Sequence, residues 1–308
     1  MSSWKTIQKV RNLKAEVKKL VKSGDRVLLY GEDGKKFIVK VEEGGKKGTH
    51  LGVIEFDSII GKEFGDVVTI GKTQKSYYIL PPTYIDDIFS MKRKTQIIYP
   101  KDSSYILLKL DIKPGVKVID TGVGSGAMCA AMARLVGPTG EVYAYERRED
   151  FYNLAISNLT EWGLIDNVEI RLKDISMGFD HSNVDAILLD VPDPENYIHV
   201  CWEALAGGGR LGIICPTTNQ VSMVLEKLYE YPFIDVEVWE SLMRQYKPYP
   251  NRLRPVDRMV AHTTFLVFAK KVNKFIQQRV DVENEVSENQ DHVEQIEQKE
   301  EINNQNNC

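Results

Sequence analysis

The sequence is poor in metal-binding and disulfide-forming residues. Its 308 residues hold four cysteines, Cys129, Cys201, Cys215 and Cys308, far apart and with no CxxC pair. This spacing signals neither a zinc site nor a disulfide framework, and predicts free or buried thiols in a reducing compartment. The five histidines, His50, His181, His199, His262 and His292, are scattered without metal-ligand spacing. No stretch reaches the ~18 apolar residues of a membrane span. The N-terminal end is polar and basic and has no apolar signal core. The expectation is a soluble, cytoplasmic protein with no metal and no membrane partner.

Charge is present but unevenly placed. The net charge is −4. Residues 273–308 carry nine acids and three bases, a net −6. Residues 1–75 carry sixteen Lys or Arg against ten Asp or Glu, a net +6. A basic N-terminal part with an acidic tail fits a nucleic-acid partner, and from charge alone it fits a solvated Lys-rich face about as well.

Residues 1–75 read as a small β-rich domain. A short surface helix is expected within 5–22. Strand-like runs at Asp25–Tyr30, Lys36–Val41, Thr49–Glu55 and Asp66–Ile70 follow, punctuated by glycine, as in a small β-barrel or curled sheet. The boundary is expected near Ser76. Residues 76–103 hold a helix from Thr83 to about Lys92, entered through Pro81-Pro82, and a basic stretch, Lys92-Arg93-Lys94. Residues 104–272 alternate strands and helices, which predicts a parallel α/β sheet. Two last strands, Phe233–Ser241 and His262–Lys271, have no helical pattern between them and imply an antiparallel closing pair. The segment between them holds Arg244, Lys247, Arg252, Arg254 and Arg258 against Asp257 alone. Residues 273–308, rich in Glu, Gln and Asn, read as a disordered tail. Within it Val282, Val286, Val293 and Ile296 hint at helical spacing.

The centre of the chain is Val116–Met128, a β-branched run ending in Asp120 followed by Gly122, Gly124 and Gly126. Strand, glycine turn and helix make the first unit of an open nucleotide-binding sheet. No Gly-Lys-Ser/Thr follows this turn, so a triphosphate P-loop is excluded there. A carboxylate before the glycines disfavours a pyrophosphate and suits a ligand with an amino group and a sulfonium. Glu146 ends the second strand and is placed to bind ribose hydroxyls. Asp174 follows the third strand, within reach of an adenine amino group. Asp190 follows the fourth, where ligands bind in open α/β sheets. This ordered set of acids points to an S-adenosylmethionine site. A carboxylate at 190 that accepts a hydrogen bond from adenine N6 makes N1 a better nucleophile. The other reading of Asp190 is cofactor positioning alone.

Four elements carry a family resemblance: Lys94-Thr95-Gln96-Ile97-Ile98-Tyr99-Pro100-Lys101-Asp102, Gly122-Val123-Gly124-Ser125-Gly126-Ala127, Leu189-Asp190-Val191-Pro192-Asp193-Pro194, and Arg254-Pro255 with His262-Thr263. Over residues ~24–272 the chain resembles the tRNA (adenine-N1)-methyltransferases that modify the T-loop adenine at tRNA position 58, in their archaeal form. The resemblance implies a class I, Rossmann-like methyltransferase domain, with a seven-stranded sheet and an antiparallel closing strand, behind a small N-terminal β-barrel-like domain. It also implies homotetramers that bind tRNA. It places Asp190 as the catalytic residue. It implies cofactor binding by Gln96, Asp120, Gly122, Val123, Gly124, Ser125, Gly126, Ala127, Glu146, Arg147, Asp174, Ile175 and Asp190. Tyr99, Arg93, Arg254 and His262 are the implied tRNA contacts. Reaching N1 needs the base out of its stack, and an aromatic beside a carboxylate suits that.

The sequence departs from the family pattern in places. Asp120 stands where Glu is common, Thr121 where Ala is frequent, Asp193 where Gln or Asn is common and Thr264 where Gly is usual; Ala261 precedes the histidine. Some archaeal relatives also modify adenine 57, and no residue here separates the two activities. Two other readings remain open: a non-catalytic tRNA-binding subunit of such a complex, and a class I methyltransferase with a different substrate. The intact glycines and Asp190 weigh against the first, and the basic segments against the second.

Overall fold

Short strands with glycine turns build an antiparallel sheet at the N-terminal end of the described chain. The computed structural model describes residues 19–70 and 73–276. Its first strands are β1 (Arg26–Gly31), β2 (Lys36–Lys40), β3 (Lys46–Thr49), β4 (Gly52–Glu55), β5 (Val67–Thr69) and β6 (Ser76–Leu80). They pair as a four-stranded antiparallel sheet, β2-β1-β6-β5, and a separate hairpin, β3-β4. Alternation sets the faces: Val27, Leu29, Val39, Tyr77 and Ile79 point into one apolar core with Ile54, Ile59 and Val68.

Three boundaries differ from those expected. The run expected as one strand, Thr49–Glu55, turns at His50-Leu51, and Thr49 pairs with Gly52. The expected boundary near Ser76 falls at the start of β6, which pairs with both β1 and β5. The Tyr-Tyr-Ile-Leu alternation that marks this strand sits directly before the two prolines and reads as an approach to the helix. That helix, α1 (Tyr84–Ser90), is capped by Thr83 in a reciprocal capping box with Asp86. The prolines therefore precede the cap and lie outside the first turn. The helix expected over 5–22 falls largely on residues 1–18, and the tail, with its valine spacing, on 277–308; both stretches are outside the described residues.

The chain divides into two compact units. Among the described residues, the first holds those up to Pro100 together with Gly124–Ala127 and Asn153–Gly163, and the second holds the others. The second unit carries α2 (Pro100–Lys109) from Lys101 onward and one seven-stranded sheet. Its strands are β7 (Lys117–Thr121), β8 (Glu141–Glu146), β9 (Val168–Leu172), β10 (Val184–Leu189), β11 (Leu205–Cys215), β12 (Phe233–Trp239) and, after the two-residue strands β13 (Tyr246–Lys247) and β14 (Arg254–Pro255), β15 (Phe265–Lys271). Helices α3 (Ala127–Val136), α4 (Glu149–Glu161), α5 (Ile198–Ala204) and α6 (Thr218–Leu228) alternate with them.

The sheet order is β12-β15-β11-β10-β7-β8-β9. Pairings from β11 through β9 are parallel, and β15 runs antiparallel between β11 and β12. This is the class I methyltransferase arrangement expected from the sequence. From β7 the chain winds outward through β8 and β9, then returns to β10 on the other side of β7. The carboxyl ends of β7 and β10 therefore flank the topological switch point, where such sheets bind ligands. The central strands β10 and β15 are nearly continuous apolar runs, as burial on both faces requires, whereas the edge strands β9 and β12 alternate apolar and charged residues. Ile119, Ile187, Leu189, Leu211, Ile213 and Val267 meet Val224 and Leu228 of α6 in one core.

Candidate active site

Three acids meet at the carboxyl ends of adjacent strands in the second unit. Asp120 is the fourth residue of β7, Glu146 the last of β8, and Asp190 follows β10. Asp120 and Glu146 are buried, and Asp190 is half-buried. Burial, then repulsion from Asp190 and Glu146, pushes the Asp120 carboxyl well above the usual carboxylate range. Burial, then Glu146, pushes Asp190 up to about 7. One Asp120 oxygen, Oδ2, is buried with no hydrogen-bond partner among the described residues. Glu146 accepts a hydrogen bond from the Arg148 backbone N–H at 3.0 Å. Such a group of acids is costly when empty and favours a cationic ligand.

The backbone at this edge is fixed from two sides. A Cβ on Gly122 would lie 1.9 Å from the carbonyl oxygen of Asp190. The Thr121 hydroxyl accepts from the Asp190 backbone N–H at 3.0 Å and donates to the Leu188 carbonyl at 3.1 Å. In the sequence Thr121 is only a departure from the family pattern, yet this buried hydroxyl ties β7 to the end of β10. A polar residue inside an apolar, β-branched run is the one local signal of that role.

Asp174 and Arg147 lie further out on the same edge. Asp174 follows β9 and is half-buried. Its carboxylate accepts from the Ser176 backbone N–H at 2.9 Å, capping a short 3-10 turn, and this bond lowers its pKa. Arg147 stands 3.9 Å from it. Ile175 is buried behind the turn. Cys215 ends β11; burial, with Glu195 and Asp190 adding to it, pushes its thiol up to about 12. Cys129, Cys201 and Cys215 are free and buried, and Cys308 is outside the described residues.

The second half of the glycine turn belongs to the first unit. Gly124 and Gly126 both have positive φ, 56° and 85°. Ser125 is buried, and its hydroxyl has no partner among the described residues. The Asn158 side-chain amide donates to the Ser125 carbonyl at 2.9 Å and to the Lys92 carbonyl at 3.0 Å. It thereby holds the basic linker beside the turn. Ala127 packs with Ile88, Met91 and Ile97, and its carbonyl accepts from the Tyr84 hydroxyl at 2.5 Å. Asn158 is likewise not singled out by the sequence. It occupies a core-facing position of α4, one turn after Ala155, and only that misplaced amide marks it.

Within the first unit, Arg93 and Gln96 are exposed and Tyr99 is half-buried. In the second unit, His262 bridges the Glu240 carboxylate at 2.7 Å and the Pro216 carbonyl at 2.9 Å. The Pro216 carbonyl first, and Glu240 after it, raise the His262 pKa. Arg254 lies exposed on β14 and makes no ion pair among the described residues. Among those residues, no helix is long and apolar enough to cross a membrane.

Known proteins share this fold and much of this sequence. Residues 75–306 match the family model of the tRNA methyltransferase complex GCD14 subunit, and residues 20–68 match the TrmI-like N-terminal model. The chain is 31% identical over 271 residues to the tRNA (adenine(57)-N(1)/adenine(58)-N(1))-methyltransferase TrmI of Methanocaldococcus jannaschii, covering 79% of this chain and 94% of that protein. It is 30% identical over 248 residues to the catalytic subunit TRM61 of the Candida albicans tRNA (adenine(58)-N(1))-methyltransferase, covering 78% of this chain and 74% of that protein. Among solved structures, a Thermotoga maritima protein described as a SAM-dependent O-methyltransferase superposes with a TM-score of 0.79 at 57% identity, over 84% of this chain and 97% of that one. TrmI of Aquifex aeolicus, a tRNA (m1A58) methyltransferase, superposes with a TM-score of 0.71 at 37% identity, over 83% and 100%.

Proposed function

Because the chain belongs to the GCD14/TrmI-like family of tRNA methyltransferases, we propose that it methylates N1 of the T-loop adenine at position 58 of tRNA, using S-adenosylmethionine. The observation that carries this reading is the acid group at the switch point. Burial, then Asp190 and Glu146, raises the cost of ionising Asp120, and Asp120 Oδ2 lacks a partner among the described residues. A ligand bearing an ammonium and a sulfonium removes both penalties, so the residues present fit this cofactor.

In this reading the strand ends and the turn hold the cofactor. Asp120, Gly122 and Val123 face its amino-acid end, and Gly124, Ser125, Gly126 and Ala127 are cofactor residues by their family motif. Glu146 takes the ribose hydroxyls, with Arg147 at the rim. Asp174 and Ile175 flank the adenine, and Gln96 is a cofactor residue by its family motif alone. When bound, S-adenosylmethionine would supply an electrophilic methyl group to adenine N1, the S–CH3 bond breaking as the neutral thioether S-adenosylhomocysteine leaves. Asp190 accepts a hydrogen bond from adenine N6, orients the ring and offsets the positive charge that develops on it. N1 carries no proton at neutral pH, so no strong base is required. Tyr99 contacts the flipped base, and Arg93, Arg254 and His262 contact the tRNA. The working assembly is a homotetramer acting in the cytoplasm.

The test is methylation of a transcribed tRNA with labelled cofactor, followed by mapping through reverse-transcription stops. N1-methyladenine blocks pairing, so a stop at the T-loop adenine is the expected result. A second stop one nucleotide upstream would add adenine 57 as a substrate. Label that resists alkaline rearrangement and lies on a ribose oxygen would instead support O-methyl transfer, the chemistry named for the Thermotoga maritima structure. Asp190→Ala should abolish the stop.

A further inference from the structure

Ser241 and Thr263 are the two feet of a long excursion between β12 and β15, and one buried ion pair holds both. Lys101 Nζ lies 2.8 Å from Asp102 Oδ1, and the two side chains are 8% and 1% exposed. The Ser241 hydroxyl donates to Asp102 Oδ1 at 2.5 Å, and the Thr263 hydroxyl donates to Asp102 Oδ2 at 2.7 Å. Lys101 also donates to the Ser241 carbonyl at 2.9 Å and to the Thr263 hydroxyl at 2.5 Å. Outside this knot, His262 and Glu240 form a second tie between the same two strands of chain. The excursion therefore leaves the sheet from a fixed root.

What it carries outward is charge of one sign. Residues 242–261 hold five bases and one acid. That acid, Asp257, is taken by Lys247 at 2.7 Å. Arg244, Arg252, Arg254 and Arg258 are exposed and make no ion pair among the described residues. Between them, Tyr246 and Tyr249 are 50% and 62% exposed. The short ladder of β13 and β14 keeps these side chains on one arm. Four unpaired guanidinium groups on so short an arm repel one another, and a polyanion relieves that repulsion. Guanidinium forks match phosphates, and tyrosine faces accept unpaired bases. Leu242, Met243 and Leu253 are exposed on the same arm. They make a contact between copies the competing occupant, but a second copy would bring four further arginines to the same place.

We propose that residues 242–261 are an RNA-gripping arm: Arg244, Arg252, Arg254 and Arg258 take tRNA phosphates, and Tyr246 and Tyr249 stack on unpaired bases. The proposal rests on the reading of tRNA as the substrate, and names the surface that holds it.

The test compares the wild-type full-length chain with R244Q/R252Q/R254Q/R258Q and with Y246A/Y249A. Binding of a fluorescent tRNA transcript is followed from about 50 to 200 mM KCl. Each phosphate contact adds about 0.9 to the salt slope on a duplex and about 0.7 on a single strand. The arginine variant should lose roughly 3 from that slope. The tyrosine variant should bind more weakly with the slope unchanged. Cofactor binding, read by calorimetry, should stay at the wild-type level in both, which shows the chain is folded. A wild-type slope in the arginine variant overturns the proposal. So does a fall in particle mass by light scattering with an unaltered slope, which would make the arm a contact between copies. Absence of T-loop methylation by the wild type, with the slope still dependent on the arginines, would remove the enzymatic reading and leave the arm standing.

Discussion

The carbonyl oxygen of Asp190 occupies the place that a side chain on Gly122 would need. An added Cβ would come within 1.9 Å of that oxygen, and Gly122 holds a φ of +64°. Glycine is thus required here by the protein's own backbone, where β7 and β10 end side by side at the switch point. Gly122→Ala should cost at least about 2 kcal/mol from the left-handed conformation and the displaced strand end together. Methyl transfer should fall about a hundredfold, because Asp190 moves with its backbone. Thermal unfolding and single-turnover rates check both. A wild-type rate in a folded variant would show that Asp190 need not be held from this side.

Thr121 fixes the same backbone from the strand interior, through bonds to the Asp190 N–H and the Leu188 carbonyl. Thr121→Val keeps the shape and leaves both groups unpaired. The expected loss is about 1–3 kcal/mol of stability. Thr121→Ser should restore most of it. The turnover number should drop more than cofactor affinity does, since Thr121 acts through Asp190. Equal losses in both would assign Thr121 a packing role only.

These two residues show what the sequence can disclose and what it cannot. The sheet, its order of acids and its closing strand follow from local patterns: β-branched runs, one acid at each strand end and a glycine turn. Asp120, Glu146 and Asp190 are readable because each lies within one residue of the carboxyl end of a strand whose length the pattern sets. Thr121 and Asn158 are not, because their bonds join residues 67 to 69 and 33 to 66 positions apart. Strand β6 is hidden for a similar reason, since its partners β1 and β5 are distant or short and two prolines follow it. The feet of the arm, Ser241 and Thr263, give no local sign that they share one carboxylate.

The acid group predicts a pH dependence. Asp190 is pushed up to about 7 from an ordinary value of 3.8. Between those values the folded, ligand-free chain keeps a proton that the unfolded chain has released. This contribution to stability is fully present below about pH 4 and is lost as pH rises through about 7. Asp190→Asn removes the loss. Ligand-free Asp190→Asn should therefore gain on the wild type by about 1–3 kcal/mol between pH 5 and pH 8 while losing activity. Denaturant unfolding at a series of pH values measures this. Cofactor affinity should also rise with pH up to about 7 in the wild type, because a cation favours the carboxylate, and the rise should flatten in Asp190→Asn.

The ion pair at the root of the arm gives the last prediction. Lys101 and Asp102 are both buried, and Asp102 accepts from Ser241 and Thr263 as well. Lys101→Met leaves a buried carboxylate without its cation, which should cost about 3–5 kcal/mol. Asp102→Leu strands the ammonium and should cost a similar amount. The double variant, Lys101→Met with Asp102→Leu, removes both charges and should be less damaged than the two singles added together, with an interaction energy of about 1–3 kcal/mol. It should still lose tRNA affinity, because Ser241 and Thr263 no longer share a partner and only the Glu240–His262 tie still joins the feet of the arm. Denaturant unfolding of the four chains closes the cycle, and tRNA binding by the double variant reads the root separately from stability. Strict additivity would show that the two charges do not act as a pair.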